Sequence, residues 1–212
     1  MAKSLPDFNV EQAAIDRGLT LVAGVDEAGR GPLAGPVVAA AVILDPKNIP
    51  GGLNDSKQLG ARRREALYAI LMRVATVSIA EASVAEIEEF NILRASHMAM
   101  SRAVAGLAKT PHHVLIDGQM LPRGFNLSAQ PIIRGDARSL SIAAASIVAK
   151  TWRDALMVDL AQHYPGYGWE RNAGYPTKGH KFALRNLGVT PHHRRLFKPV
   201  HNILYQEKNL SD

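Results

Sequence analysis

The stretch Leu21-Val22-Ala23-Gly24-Val25-Asp26-Glu27 constrains this chain most, because an apolar run there ends in two adjacent acids. A short run rich in β-branched residues reads as a strand buried in a sheet. A carboxylate at the end of such a strand is costly when buried alone, so Asp26 requires a cation or a metal ion beside it. Neighbours on a regular strand point to opposite faces, so Asp26 and Glu27 can serve one ion only where the chain bends. Gly29 and Gly31 permit a bend just there. Without one, Glu27 would offer its carbonyl oxygen.

Around this strand the pattern alternates between sheet and helix. Residues 21–26 and 36–44 read as two strands joined by a tight Gly/Pro turn, and residues 74–82 as a third. Ser83 followed by Glu86 forms a capping-box pattern, and Ile92, Ala95, Ala99, Ala103 and Leu107 recur at helical spacing after it. Residues 114–117 and 131–134 bracket a Pro/Gly loop as two further strands, and an Ala-rich helix is expected over about 139–163. Beyond the break at Tyr164-Pro165-Gly166-Tyr167-Gly168, helices are expected over 178–187 and around His193. The first 19 residues read as a separate short helical segment ending near Gly18, and residues 20–212 as one α/β domain with a helical extension from about 165.

Two more acids sit beside glycine at strand ends, Asp117 before Gly118 and Asp136 after Gly135. Strand ends are where an α/β sheet places its site. Four carboxylates without a Cys or a His ligand pattern select magnesium or manganese over zinc, since hard cations take oxygen donors. Two such ions roughly 4 Å apart can activate water and stabilise a leaving phosphodiester oxygen, with no protein nucleophile needed.

Composition narrows the classes further. Lys and Arg number 25 against 19 Asp and Glu, a net charge of +6, which suits a protein that meets polyanions. With no cysteine, disulfide frameworks, thiolate zinc sites and cysteine nucleophiles are excluded. The N-terminal residues lack a signal-peptide pattern and no apolar run approaches the roughly 20 residues that span a bilayer, so a cytoplasmic protein is expected.

The segment Gly24-Val25-Asp26-Glu27-Ala28-Gly29-Arg30-Gly31-Pro32-Leu33-Ala34-Gly35-Pro36 resembles the opening signature of the ribonuclease HII family, the type 2 ribonucleases H. The resemblance continues through Asp55-Ser56-Lys57, Ile116-Asp117-Gly118, Gly135-Asp136, the stretch 143–150, Arg153-Asp154 and Gly174-Tyr175-Pro176-Thr177. It implies a ribonuclease H-like mixed sheet with flanking helices and a small C-terminal helical extension. It also implies that Asp26, Glu27, Asp117 and Asp136 bind the catalytic metals, and that Gly29, Arg30, Gly31 and Tyr175 read the ribonucleotide and its neighbour. The implied reaction is hydrolysis of the RNA strand of RNA–DNA hybrids, and cleavage on the 5′ side of a ribonucleotide embedded in duplex DNA. Arg171-Asn172-Ala173 departs from the basic His-Lys that many members carry before the tyrosine motif. Type 3 members differ in the glycine motif and usually carry an additional N-terminal DNA-binding domain; with about 20 residues before the first strand, type 2 is the expectation.

Two other readings compete. Gly29-x-Gly31-x-x-Ala34 fits a dinucleotide-binding fingerprint, but that motif needs a helix directly after the glycines, and Pro32, Pro36 and the run 37–44 favour a strand. A nucleic-acid-binding module without catalysis would keep the basic face and have no need of the four carboxylates. Phosphate contacts are expected from Lys57 and Lys150, with Arg62, Arg63, Arg64, His192, His193, Arg194, Arg195 and Lys198 as further candidates. Among the aromatics, Tyr164, Tyr167 and Trp169 are expected to pack, leaving Tyr175 to meet substrate. A monomer is expected, and the tail Gln206-Glu207-Lys208-Asn209-Leu210 resembles replication-clamp-docking peptides without their paired C-terminal hydrophobics.

Overall fold

The computed structural model describes residues 5–205; the tail that resembles a clamp-docking peptide lies outside the described residues. Strands β1 (Val22–Ala28), β2 (Val37–Ile43), β3 (Thr76–Ala82), β4 (His113–Asp117) and β5 (Ala129–Ile132) form one mixed sheet in the order β3-β2-β1-β4-β5. The β1–β2 and β2–β3 pairs are antiparallel, as short connections allow, whereas β1–β4 and β4–β5 are parallel.

Helices cover both faces, and strand alternation decides which residue meets which helix. Ala23 and Val25 of β1, with Val37, Ala39 and Ala41 of β2 and Val114 and Ile116 of β4, pack on the face covered by α3 (Val84–Ala105). Ala40 and Val42 meet the opposite layer, built from α2 (Ala61–Val74) and α4 (Leu140–His163). Every residue of β2 is buried as a result, which is why that strand reads as a continuous apolar run. The long helix α4 crosses directly over β1: a side chain at Gly24 would collide with the backbone of Ser141. Helix α1 (Asn9–Ile15) is tied to the start of α4 by Glu11, whose carboxylate accepts from the Ser139 hydroxyl (2.6 Å) and the Ser141 N–H (2.8 Å).

Past α4, the short helices α5 (Trp169–Asn172), α6 (Lys178–Leu187) and α7 (Lys198–Tyr205) close over Met157, Trp169, Leu184 and Val200. Tyr167 and Trp169 are buried there, as expected for packing aromatics.

The structure departs from the sequence pattern at four places. Helix α2 carries no start signal, since its N-cap is Gly60 and its first turn holds no acid. Strand β5 ends at Ile132 and does not continue to Arg134, which adopts the left-handed conformation (φ 53°); Pro131 is tolerated because β5 is an edge strand. Helix α3 bends at Asn91 (φ 68°), whose side-chain oxygen accepts from the N–H groups of Leu93 and Arg94 and so restarts the helix. No helix forms around His193; that residue bridges to Ala34 instead.

Candidate active site

The parallel ladder between β1 and β4 ends at the pair Val25–Ile116. One residue farther along each strand stand Asp26 and Asp117, on the same side of the sheet because Gly24 and Leu115 before them face α4 and its neighbours. Asp26, Glu27 and Asp117 each bring a carboxylate oxygen to one spot, all within 4.8 Å of one another. Glu27 therefore joins by its side chain, although strict alternation would send it to the far face. The β1–β4 ladder has ended at this point, and Gly29 just beyond turns the chain with φ 99°. Asp136 lies outside this trio, in the 3-10 turn Gly135–Ala137, near enough for the Asp117 charge to be felt.

Each carboxylate is held from behind. An oxygen of Asp26 accepts from the Glu27 N–H at 2.7 Å, and the nearby Ser146 hydroxyl eases the charge of the same carboxylate. The Ser146 and Ser56 hydroxyls are hydrogen-bonded to one another at 2.9 Å. Asp117 accepts from the Gly135 N–H at 2.6 Å. Glu27 pairs through Oε1 with Arg30 (3.1 Å), while its Oε2 is buried without a partner.

Burial, then the charges of Glu27 and Asp117, raises the Asp26 pKa well above the ordinary carboxylate range. Burial is also the leading cause that raises Asp117 and Asp136. Lys57 is the cation among them: burial alone would lower its pKa, but Asp26, Asp55, Asp136 and Asp117 outweigh that and hold it above the usual lysine value. Asp55 is thus an acid of this cluster that sequence reasoning passed over. The trio offers only hard oxygen donors, carries one orphaned buried oxygen, and strains against its own repulsion; a divalent cation fits all three facts.

Beside the acids runs the loop from Gly29 to Pro36, and its backbone is gripped by two arginines. Arg194 is fully buried and donates to the carbonyls of Gly29 (2.6 Å), Arg30 (3.0 Å), Pro32 (2.9 Å), Gly35 (2.8 and 2.9 Å) and Pro36 (3.2 Å). Arg153 donates to the carbonyls of Ala34, Pro36 and Ala173, each at 3.0 Å. Burial lowers their pKa values to about 10 for Arg153 and about 9 for Arg194, still above neutrality, so both remain cations solvated by carbonyl dipoles.

Arg194 and His193 are therefore not phosphate contacts, contrary to expectation: both are fully buried. Arg64 is turned inward as well, bonding to the carbonyls of Ser56 and Leu59 and to Asp154. Lys150 pairs with Asp154 at 2.6 Å and stands 5.8 Å from the ring centroid of Tyr175. Tyr175 is 40% exposed, and a Cβ built on Gly31 would lie 3.5 Å from its ring. Behind Tyr175, His180 Nδ1 donates to the Tyr175 carbonyl (2.9 Å) and its Nε2 accepts from Trp169 (3.0 Å). His193 completes the chain, with Nδ1 accepting from the Thr190 N–H (3.0 Å) and Nε2 donating to His180 (3.1 Å).

The roles of Arg153 and Arg194 were missed in sequence, though one signal existed. Ala149, Arg153 and Met157 share a single buried stripe of α4, and an arginine in such a stripe must find acceptors inside the protein.

The ribonuclease HII family model matches residues 23–200 of this chain. The chain is 69% identical over 202 residues to a ribonuclease HII of Ruegeria pomeroyi, covering 95% of this chain and 86% of that one. It is 67% identical to a ribonuclease HII of Roseobacter denitrificans, covering 91% and 98%. The crystal structure of ribonuclease H2 from Pyrococcus horikoshii superposes with a TM-score of 0.74 at 28% identity, covering 91% of this chain and all of that one. Matched along nearly its whole length, this chain belongs to the ribonuclease HII family and is a hydrolase that cuts the RNA strand of RNA–DNA hybrids.

Proposed function

We propose that Asp26, Glu27, Asp117 and Asp136 hold the divalent ions, Mg²⁺ or Mn²⁺, with which this chain hydrolyses the phosphodiester on the 5′ side of a ribonucleotide in a hybrid or in duplex DNA. The observation that supports it most is the convergence of three carboxylates within 4.8 Å at the open end of the β1–β4 ladder, one with a buried oxygen that nothing among the described residues satisfies. When bound, such ions activate a water and offset charge on the leaving oxygen.

The chain's own groups prepare the rest. The Glu27 N–H fixes the Asp26 carboxylate, and the Gly135 N–H fixes Asp117, so neither has to reorganise when substrate arrives. In the reaction the water oxygen bonds to phosphorus and the bond from phosphorus to the 3′ oxygen breaks, leaving a 3′-hydroxyl on one fragment and a 5′-phosphate on the ribonucleotide.

Only the 2′-hydroxyl tells ribose from deoxyribose, so the reader must place hydrogen-bonding groups beside the sugar. Gly29, Arg30, Gly31 and Tyr175 are the groups we assign to that task. Gly31 and the exposed Tyr175 ring face one another, and the half-exposed guanidinium of Arg30 reaches solvent beside Glu27. We assign the substrate phosphates to Lys57, which feels the charges of the acids, and to Lys150, which pairs with Asp154. We take the enzyme to act as a monomer in the cytoplasm, removing ribonucleotides from DNA; no described helix is long and apolar enough to cross a membrane.

The deciding experiment is gel cleavage of a duplex containing one ribonucleotide with Mg²⁺, Mn²⁺ or chelator. Cleavage with either ion at the 5′ side of the ribonucleotide is expected, and cleavage that persists in chelator would refute the metal assignment. Binding without any cleavage would favour a catalytically silent binding module.

A further inference from the structure

We propose that Arg153 and Arg194 are positioning residues for ribonucleotide selection, setting the spacing between the glycine loop that carries Gly31 and the loop that carries Tyr175. The inference rests on the assignment of those two loops as the ribonucleotide reader.

Among the described residues, neither arginine has a carboxylate hydrogen-bonded to it; every hydrogen bond from the two guanidinium groups ends on a backbone carbonyl. For a buried cation this is unusual, because a charge taken out of water is normally paired with an acid. Here the charge is spent on orienting main chain. Arg194 gathers carbonyls from Gly29 to Pro36, so the loop wraps around one guanidinium. Arg153 reaches across, with two bonds on that loop at Ala34 and Pro36 and one on Ala173, two residues before Tyr175.

Backbone bonds run parallel to these side chains. The Leu33 N–H donates to Gly174 (2.8 Å), the Gly35 N–H to His192 (2.9 Å) and the Arg194 N–H to Leu33 (2.8 Å). A side chain at Gly29 would fall on the Arg153 guanidinium, whereas one at Gly31 would meet only the Tyr175 ring, at ordinary contact distance. The crowding is on the arginine side of the loop and the space is on the reader side. A planar guanidinium with donors in fixed directions sets such spacing; a lysine ammonium, a point charge on a flexible stem, does not.

A hybrid offers a 2′-hydroxyl at every position of its RNA strand, so a loosened reader still finds one. A single embedded ribonucleotide offers only one. Displacement of a reacting group by about 1 Å can cost about 100-fold in rate, and the loss should therefore fall mainly on the single-ribonucleotide substrate.

The test is the full chain with Arg153→Lys or Arg194→Lys, checked for folding by circular dichroism and assayed with Mg²⁺ on both substrates. For a single ribonucleotide, kcat is expected to drop about 10- to 100-fold with KM little changed, and the hybrid is expected to lose far less. Combined with Tyr175→Ala, the lysine substitution should no longer alter the ratio between substrates, since the loop it positions has lost its reading group. Equal loss on both substrates, or a change confined to KM, would overturn the proposal. Arg194→Lys replaces the more heavily bonded residue; should it not fold, Arg153→Lys decides the matter alone. If Tyr175→Ala and Gly31→Ala themselves leave the substrate ratio at the wild-type value, the reader assignment is wrong and this inference falls with it. If they change the ratio and the arginine variants do not, only the positioning role fails.

Discussion

Asp117 stands one residue past the last rung joining β4 to β1, and Asp26 stands one residue past the same rung on the other strand. The carboxylates are thus neighbours by register, and the cost of bringing them together is visible in the raised pKa of each, caused first by burial.

That cost leads to opposite effects of one substitution on activity and stability. Asp26→Asn and Asp117→Asn are expected to lower cleavage by at least about 1,000-fold, several kcal/mol of transition-state charge stabilisation. In the absence of divalent ions, Asp26→Asn should nevertheless raise Tm, by about 2–4 °C for each kcal/mol of repulsion relieved. Mg²⁺ should raise the Tm of the wild type and not of the variant. Calorimetry with and without Mg²⁺ measures both, and a variant that still cleaves at the wild-type rate would contradict the assignment.

Gly29 and Gly31 separate fold from function. Gly29 has φ 99° and the Arg153 guanidinium where its Cβ would lie, so Gly29→Ala is expected to destabilise by about 2–4 kcal/mol. Gly31 meets neither obstacle, and Gly31→Ala should keep wild-type stability while cleaving poorly, because the added methyl faces the substrate side beside Tyr175. Urea unfolding and single-ribonucleotide cleavage, run on both variants, give the comparison. A Gly31→Ala protein that unfolds early would place its glycine requirement inside the protein.

Duplex affinity without divalent ions should fall steeply between about 50 and 200 mM salt, as phosphate neutralisation releases counterions. Lys57→Ala is expected to flatten the log–log slope by about 0.9, the contribution of one phosphate contact. Arg194, buried on backbone carbonyls, has no phosphate to release, so Arg194→Lys should leave the slope as it is. Fluorescence anisotropy over a salt series reads both. A flattened slope in the Arg194 variant would mean that its side chain reaches the duplex.

The buried histidines make the fold acid-sensitive. Burial, then the neighbouring His180 and His192, lowers the His193 pKa to about 3, so the folded protein holds the neutral ring. Its stabilising contribution is complete above about 6.5, the unfolded value, and drains as pH falls from there toward about 3. About 2 kcal/mol should be lost between pH 6.5 and 5 from this group alone, at about 1.4 kcal/mol per pH unit. The raised pKa values of Asp26, Asp117 and Asp136 act with the opposite sign, since protonating those carboxyls relieves repulsion and burial cost as pH falls. Urea denaturation of the wild type and of His193→Asn from pH 7 to pH 5 therefore isolates the histidine, and a wild type that loses no more stability than the variant would contradict a neutral His193.

Strands β1 to β4, the capped helix α3 and the Ala-rich helix α4 were legible from local pattern, because apolar periodicity and Ser83 and Ser139 as caps act over a few residues. Helix α2 and the kink at Asn91 were not, since Gly60 gives no cap signal and Asn91 reshapes a helix whose apolar spacing continues past it. The same division runs through the site. Asp26, Glu27, Asp117 and Asp136 stood out because acids beside apolar strands and glycines are chemically expensive wherever they end up. Only the tertiary structure decided that Glu27 joins by its side chain, that Lys57 and Asp55 belong with the acids, and that Asp136 stands apart from the closest trio. Charge in a sequence does not say where it points. Arg194 and Arg195 are adjacent and chemically alike, yet one is buried on the carbonyls of a loop far away in sequence and the other is exposed. Their difference arises from contacts across more than 150 residues, and no local rule encodes it.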